Sequence, residues 1–305
     1  MGSWTNTTPG AAPSGDRGIL SPARTTELAN VARDYPVSPR LAPFVERYWS
    51  VRWDLTGRAP YRSEVLAHPS VNVSIESGSH PRFGVPMPAA LVHGVVTTLF
   101  AVDLVGWGRV TAVKFRPGGF TAFTGCRPGN DRISLLTDPA GSASSAGCHP
   151  PGPGGALGFD AEELTRAVLA EDDDGARAKV LDAALAPLAT EPAPAYLELL
   201  EILAAMAEDR ALVRAQDVAA RARMSVRSLQ RLFAGYVGVS PKAVLARYRL
   251  QNAAASIDAG EVDDLAGLAA SLGWFDQAHF SREFRAVVGV PPGEYLRGAR
   301  DGRGA

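Results

Sequence analysis

The fold is decided by SLQRLFAGYVGVSPKAVLAR at residues 228–247 and HFSREFRAVVGVPPGEYLRG at residues 279–298. Shifting the first stretch by 51 positions places it on the second. The residues that then meet are Arg231, Phe233, Val237, Gly238, Val239, Pro241 and Leu245 with Arg282, Phe284, Val288, Gly289, Val290, Pro292 and Leu296. Two copies at one offset are too few for a solenoid, so they indicate a duplicated supersecondary unit.

The first copy predicts a short helix, a tight turn and a longer helix. Residues 216–222 are Ala-rich, residues 223–224 form the turn, and Ser225 is suited to cap the next helix. That helix is expected to end at Gly238, because glycine readily adopts the left-handed C-terminal conformation. Its buried stripe is Leu229, Phe233 and Val237.

The second copy repeats this plan with different residues. Residues 265–272 are the short helix, residues 273–275 the turn, and Asp276 the cap. Phe280, Phe284 and Val288 form the stripe before Gly289. A short helix, a turn and a longer second helix make a helix-turn-helix, whose second helix reads bases in the major groove.

The segment from about residue 196 to residue 300 resembles the DNA-binding domain of the AraC/XylS family of transcription regulators. The run GWFDQAHFSREFRAVVGVPPGEYLR at residues 273–297 is very similar to that family's signature. The resemblance implies two helix-turn-helix units joined by a linker helix, here residues 241–257, and a sequence-specific regulator that inserts two recognition helices into successive major grooves. The DNA-binding residues that it implies are Ser225, Arg227, Gln230, Arg231, Gln277, Ala278, His279, Ser281 and Arg282.

A helix pair with an apolar stripe can also be a plain bundle. Two copies, each with an arginine off the stripe at Arg231 and Arg282, favour DNA binding instead. From residue 211 to the end the chain has 13 basic and 9 acidic residues, a net charge of +4, whereas the whole chain carries −1. A basic C-terminal region on an otherwise acidic chain is typical of proteins that bind phosphate groups of DNA.

The N-terminal half carries strand signals. Val71, Val73 and Ile75 alternate with polar residues, and further strands are expected within residues 91–104 and 108–120. A short helix-like piece is expected to hold Phe44, Val45 and Tyr48. The predicted fold class is α+β, with a β-rich sheet or barrel-like domain followed by an all-α double helix-turn-helix domain.

This half is similar to an uncharacterised β-rich domain found on some AraC-type regulators. The similar pieces are LAPFVERYW at 41–49, the segment around residues 68–69, and VKFRPGGF at 113–120. Other relatives carry a cupin-like barrel here, but this chain lacks the close His-x-His pair of cupin metal sites. The lone histidines, and the aromatic residues Tyr48, Trp49, Trp53 and Trp107, are interpreted as structural.

Four regions are predicted. Residues 1–30 form a disordered tail, 31–140 a sensor or dimerisation domain, 141–195 a linker with a helical pair, and 196–300 the DNA-binding domain. No apolar run could span a membrane, no secretory signal is apparent, and two cysteines cannot build a disulfide framework. We therefore expect a cytoplasmic protein.

The expected partners are double-stranded DNA, with a small-molecule effector and a homodimer left open and no membrane. We expect no enzymatic activity, cofactor or metal site, since no nucleophile–base pair, phosphate loop or metal cluster is present in the sequence. Two alternatives stay open: an enzyme fused to a regulator, which would need an activated Cys126 or Cys148, and an interaction module whose DNA-binding domain is vestigial.

Overall fold

The computed structural model of the chain describes residues 20, 28–136, 160–209 and 211–301. Most of the predicted tail and the whole low-complexity segment 141–158 therefore lie outside the described residues. The order of elements is strands first and helices second, which confirms the predicted α+β fold class.

Eight strands in the described residues form two antiparallel sheets. They are β1 (Asn30–Tyr35), β2 (Val45–Leu55), β3 (Tyr61–Val65), β4 (Asn72–Gly78), β5 (Ala89–His93), β6 (Phe100–Leu104), β7 (Gly106–Phe115) and β8 (Ile133–Leu135). The larger sheet has the order β1-β2-β7-β4-β5-β8, and the smaller one pairs β3 with β6. Side chains of both sheets line a cavity between them, so the architecture is that of a partly closed barrel.

The predicted helix-like piece at the start of this domain is wrong. Val45 and Tyr48 belong to β2, where they pair with Phe115 and Val113 of β7. The register of this pair shifts between Val45 and Arg47. An extra residue in one strand interrupts the alternation of its faces, so burial recurs after three residues and imitates a helix.

Ten α-helices follow or interrupt the strands in the described part of the chain. They are α1 (Gly119–Thr124), α2 (Ala161–Ala170), α3 (Asp174–Leu185), α4 (Pro194–Glu208), α5 (Ala215–Arg221), α6 (Val226–Tyr236), α7 (Pro241–Ala259), α8 (Leu265–Ser271), α9 (Gln277–Val288) and α10 (Pro292–Asp301). The pairs α5–α6 and α8–α9 are the two predicted units, and α7 is the predicted linker helix.

The local signals of the duplicated unit are confirmed. Both apolar stripes are buried, with Phe233 and Phe284 at their centres. The Ser225 side chain accepts a hydrogen bond from the N–H of Ser228, and the Asp276 side chain accepts one from His279. A side-chain oxygen at this position satisfies one of the backbone donors that a helix start leaves unpaired.

The hydrophobic cores do not follow the division between strands and helices. One core runs from the sheet, including Ile75 and Phe115, through α2, α3 and α4 to the first helix-turn-helix unit and Tyr248. A second core holds Leu250 and later residues of the same linker helix, the second unit, and Leu20 and Leu66 from the N-terminal half. The strand domain therefore shares one core with the first unit and contributes Leu66 to the core of the second.

A buried arginine of the linker helix joins it to the strand domain. Arg247 is 7% exposed, and its guanidinium donates to the carbonyl oxygens of Thr98 at 3.0 Å and of Thr97 in the β5–β6 loop. One turn on, Gln251 donates to the carbonyl of Leu66 at 2.7 Å. Burial lowers the pKa of Arg247 to about 10, although Asp131 raises it, so the side chain stays charged at neutral pH.

Replacing this arginine should destabilise the whole chain. Arg247→Met keeps much of the side-chain volume but removes the hydrogen bonds of a charged donor, worth about 1.5–3 kcal/mol. We expect a loss of about 2 kcal/mol in urea unfolding. Lys242→Met, on the exposed face of the same helix, should change the free energy by less than about 0.5 kcal/mol. Equal losses in the two variants would contradict the role of Arg247.

Candidate nucleic-acid interface

Helix α6 presents a polar face to solvent. Its stripe residues Leu229 and Phe233 are turned into the first core. The opposite face leaves Arg227, Gln230 and Arg231 exposed. Ser225 is exposed as well, but its hydroxyl is engaged in capping the helix and donates to Ser228 Oγ at 3.0 Å. The three long side chains are thus free of the core and lie within about one turn of each other.

Helix α9 presents the corresponding face of the second unit. Gln277, Ala278 and Arg282 are exposed, whereas His279 and Ser281 are half-buried. His279 Nε2 lies 3.3 Å from Glu283 Oε1 one turn further along the helix. His279 is therefore partly committed to a contact inside the protein, which the sequence did not indicate.

Glu283 holds the second recognition helix against the linker helix. One of its oxygens accepts a hydrogen bond from Trp274 Nε1 at 2.7 Å and lies 3.5 Å from Arg249 Nη2. The Arg249 guanidinium also lies over the Trp274 ring, 4.3 Å from its centroid. These contacts connect the turn, α9 and α7.

The first recognition helix is held from the strand domain instead. The amide of Asn130 donates to the carbonyl of Gly238 at 2.9 Å, just beyond the end of α6, and Arg127 donates to the carbonyl of Ala234. On α4, Tyr196 donates to the carbonyl of Pro43 at 2.8 Å. The two recognition helices thus have different supports.

The positive charge available at this surface is smaller than the sequence suggests. Arg247 is buried against the strand domain, and Arg249 is half-buried beside Glu283 and Trp274. Exposed cations remain on both units; among the described residues they are Arg214, Arg221, Arg223, Arg227, Arg231, Arg282 and Arg285.

Phe275 is a feature that the sequence analysis did not foresee. It stands in the turn before α9 and is 95% exposed, whereas its neighbour Trp274 is buried. Both residues are large and apolar, so the pattern could not say which one enters the core. In the folded chain Trp274 packs in the second core, with its ring centroid 4.8 Å from that of Phe280, and Arg249 lies over its ring.

Other chemistry finds little support within the described residues. Cys126 is 3% exposed, which argues against an activated thiol at that position, and Cys148 lies outside the described part of the chain. The described residues include no group of three or more metal-ligating side chains. A search of the described helices finds none with the length and apolar character needed to span a bilayer.

Comparisons with known families match both halves of the chain. A model described as a helix-turn-helix domain matches residues 218–298, and a domain of unknown function, DUF6597, matches residues 33–131. A Streptomyces lividans protein named as an AraC-like transcription regulator is 35% identical over 81 residues. This match covers 27% of the chain and 26% of that relative, so it concerns the DNA-binding region and not the whole protein.

Solved structures give weaker likenesses. An AraC-type regulator from Chromobacterium violaceum aligns with 34% of this chain and 92% of its own, at 23% identity and a TM-score of 0.31. ToxT from Vibrio cholerae aligns with 88% of this chain and 97% of its own, at 10% identity and a TM-score of 0.41. Both TM-scores are low, and neither likeness carries weight for function.

The C-terminal region is a helix-turn-helix DNA-binding domain. It is of the AraC type, and it is preceded by a strand-rich domain that is uncharacterised, as the resemblance of both halves implied. The roles of the nine individual side chains stay predictions.

The cap of the second recognition helix can be tested by stability. Asp276→Ala removes the acceptor for the N–H of His279, so unfolding should become easier by about 1 kcal/mol. Asp276→Asn keeps a side-chain oxygen and should lose much less. Urea unfolding of the two variants measures the difference, and equal losses would show that the cap oxygen is unimportant.

Proposed function

We propose that the protein is a transcription regulator that inserts α6 and α9 into two successive major-groove segments of one DNA duplex. The observation that carries the proposal is the pair of exposed polar faces at equivalent positions of a duplicated unit, with Arg231 and Arg282 in register. A single linker helix connects them, so one polypeptide can present both faces about one helical turn of DNA apart, roughly 34 Å.

The proposed DNA-binding residues differ in the kind of contact that each can make with DNA. Arginine can bond to guanine through two hydrogen bonds and glutamine to adenine in the same way. Arg227, Gln230 and Arg231 are the proposed readers of the first segment, and those of the second are Gln277, Ala278, His279 and Arg282. The methyl group of Ala278 suits contact with a thymine methyl. Ser225 and Ser281 are assigned to phosphate contact or capping.

The strand domain is proposed to regulate this binding by sensing a small molecule. It encloses a cavity, and its loops contact both the end of α6 and the linker helix through Asn130 and the carbonyls around Thr97. A change in those loops could therefore alter the relative orientation of the two recognition helices. A homodimer stays a prediction, which native mass spectrometry tests directly.

The proposed organisation keeps four parts, at residues 1–30, 31–140, 141–195 and 196–300. The proposed site of action is the cytoplasm, and no catalysis is proposed. An interaction module with a vestigial DNA-binding domain remains the rival function. Selection of bound sequences from random duplex DNA separates the two, because a regulator enriches a motif with two half-sites and a vestigial domain enriches none.

Removing one base-reading arginine should weaken specific binding. Arg231→Ala or Arg282→Ala should each cost about 1–3 kcal/mol on the selected sequence and relax the preference at one or two positions. Arg166→Ala removes the same charge from the exposed face of α2 and should leave affinity nearly unchanged. Gel-shift titration measures all three, and an unchanged affinity for either reader variant would remove that residue from the site.

Binding should also depend steeply on salt, because phosphate contacts release counterions. The slope of log K against log salt should be about −0.9 for each phosphate contacted. Arg221→Ala, at the exposed end of α5, should weaken binding to all sequences and reduce the magnitude of the slope by about 1. A flat salt response of the wild-type protein would contradict phosphate binding.

A further inference from the structure

The cavity between the two sheets has an uneven lining. Its volume is about 210 Å³. Most of its wall is apolar, with Val51, Val102 and Val110 from the two sheets and the aromatic side chains of Trp49 and Phe100. Nothing in the proposed DNA contact uses this space, so its polar residues need another explanation.

One row of polar side chains runs across the larger sheet where this sheet lines the cavity. Arg47 of β2 pairs in register with Lys114 of β7, Lys114 with Asn72 of β4, and Asn72 with His93 of β5. Residues opposite each other in adjacent strands point to the same face of a sheet. All four line the cavity, so they form a continuous polar band at one side of an apolar chamber.

The charges of this lining do not balance. Among the described lining residues the ionised side chains are Arg47, Arg82, Lys114 and Glu76, an excess of two positive charges. Glu76 is bound internally, by Arg82 at 2.6 Å and by Ser74 at 2.7 Å. Its pKa is raised by burial, but His93, Arg82 and Ser74 outweigh that and hold it at about 2.

At the Arg47 end of the band, one carboxylate, that of Glu46, contacts two cationic side chains. Glu46 Oε1 accepts hydrogen bonds from Arg47 at 2.7 Å and from Lys114 at 2.9 Å. Burial raises the pKa of Glu46, but Lys114, His68 and Arg47 together lower it to about 2. With Glu46 counted, the side chains named here, among the described residues, carry three positive and two negative charges, so the polar side of the cavity favours an anion over a cation.

A serine beside this band is missing a partner. Ser70 is 2% exposed and lines the cavity, and its Oγ has no hydrogen-bond partner among the described residues. A buried hydroxyl without a partner is rare in folded proteins and calls for an explanation, such as a bound water or ion. The Ser70 Oγ is covered in this structure, so it reaches an oxygen of a bound molecule only if the side chain rotates toward the cavity.

We propose that this cavity binds a compact organic acid, with its carboxylate at the band of Arg47, Lys114, Asn72 and Ser70 and its apolar body between the sheets. A cavity of about 150 Å³ accommodates benzene, so the slightly larger space here suits one ring that bears a short acid group. It is smaller than the about 300–1,000 Å³ of common ligand pockets, so it would not contain the whole of a long acyl chain. The inference rests on the proposed regulatory role and names the class of molecule sensed.

Calorimetry on the full chain without DNA tests the proposal. The probe is phenylacetate, and its control is phenylacetamide, which has nearly the same shape and no charge. We expect saturable binding of the acid and at least about tenfold weaker binding of the amide, because a hydrogen-bonded charge is lost. The absence of saturable phenylacetate binding at millimolar concentration, or equal affinity for the amide, would overturn the proposal.

Variants locate the site. Lys114→Met should weaken phenylacetate binding about tenfold, and Ser70→Ala several-fold, whereas Lys179→Met on the exposed face of α3 should have no effect. Val102→Phe places a larger side chain in the cavity but keeps every charge, so it should weaken binding strongly. Urea unfolding identifies any variant that does not fold. Unchanged binding in folded Lys114→Met and Val102→Phe would overturn the assignment.

Failure of this inference is distinguishable from failure of DNA recognition. Arg231→Ala should bind phenylacetate like the wild-type protein, and ligand-free Lys114→Met should bind DNA like the wild-type protein in gel shift. If phenylacetate binds but no DNA motif is enriched, the cavity assignment stands and the regulator proposal falls. If a DNA motif is enriched but phenylacetate does not bind, the regulator proposal stands and only the cavity assignment falls.

Discussion

The linker helix α7 packs against all three parts of the described chain. Ten of the nineteen residues of α7 are buried, and they lie on nearly all sides of the helix. A helix that is covered all round must be surrounded by other elements before it is stable. The strand domain, the first unit and the second unit supply those surroundings from three directions, so none of them can move far without disturbing α7.

Burial of this helix also explains why its polar residues point where they do. Arg247 and Gln251 lie one turn apart on the side that meets the strand domain, and each finds backbone carbonyls there. A buried guanidinium without acceptors would be costly, so the loop that provides them is as necessary as the apolar contacts. His68, whose ring lies 5.9 Å from that of Tyr248, faces both this junction and the cavity. The chamber, the loop and the helix are therefore physically continuous.

The parts of this fold that depend on neighbours in sequence could be predicted, and the parts that depend on distant residues could not. The stripe of Phe280, Phe284 and Val288 and the cap at Asp276 are set within one or two helical turns, and the duplication made them visible twice. The irregular register at the start of β2 imitated a helix because only pairing with β7 distinguishes the two. Trp107 was expected in the core, but it is about half exposed at the end of the sheet.

The candidate sites can also be divided into features set by neighbours in sequence and features set by distant residues. The exposed faces of α6 and α9 were foreseeable, since helical periodicity alone separates them from the stripes. The contact of His279 with Glu283 was not, because it arises where α9 meets the turn and the linker helix. The cavity band could not be read either, because Arg47, Lys114, Asn72 and His93 come from four strands whose register is fixed only on folding.

The change from one core to the other, between Tyr248 and Leu250, has a consequence for protein engineering. A chimera that exchanges the second reader for one from another regulator would conventionally be joined at a surface loop, such as the one after α7. That junction would leave Leu250, Ala253 and Ile257 packed against side chains from the other parent protein. A splice within the helix itself, just before Leu250, keeps these three residues with the second unit, and Leu20 and Leu66, with the Gln251–Leu66 hydrogen bond, then have to match across the two parents.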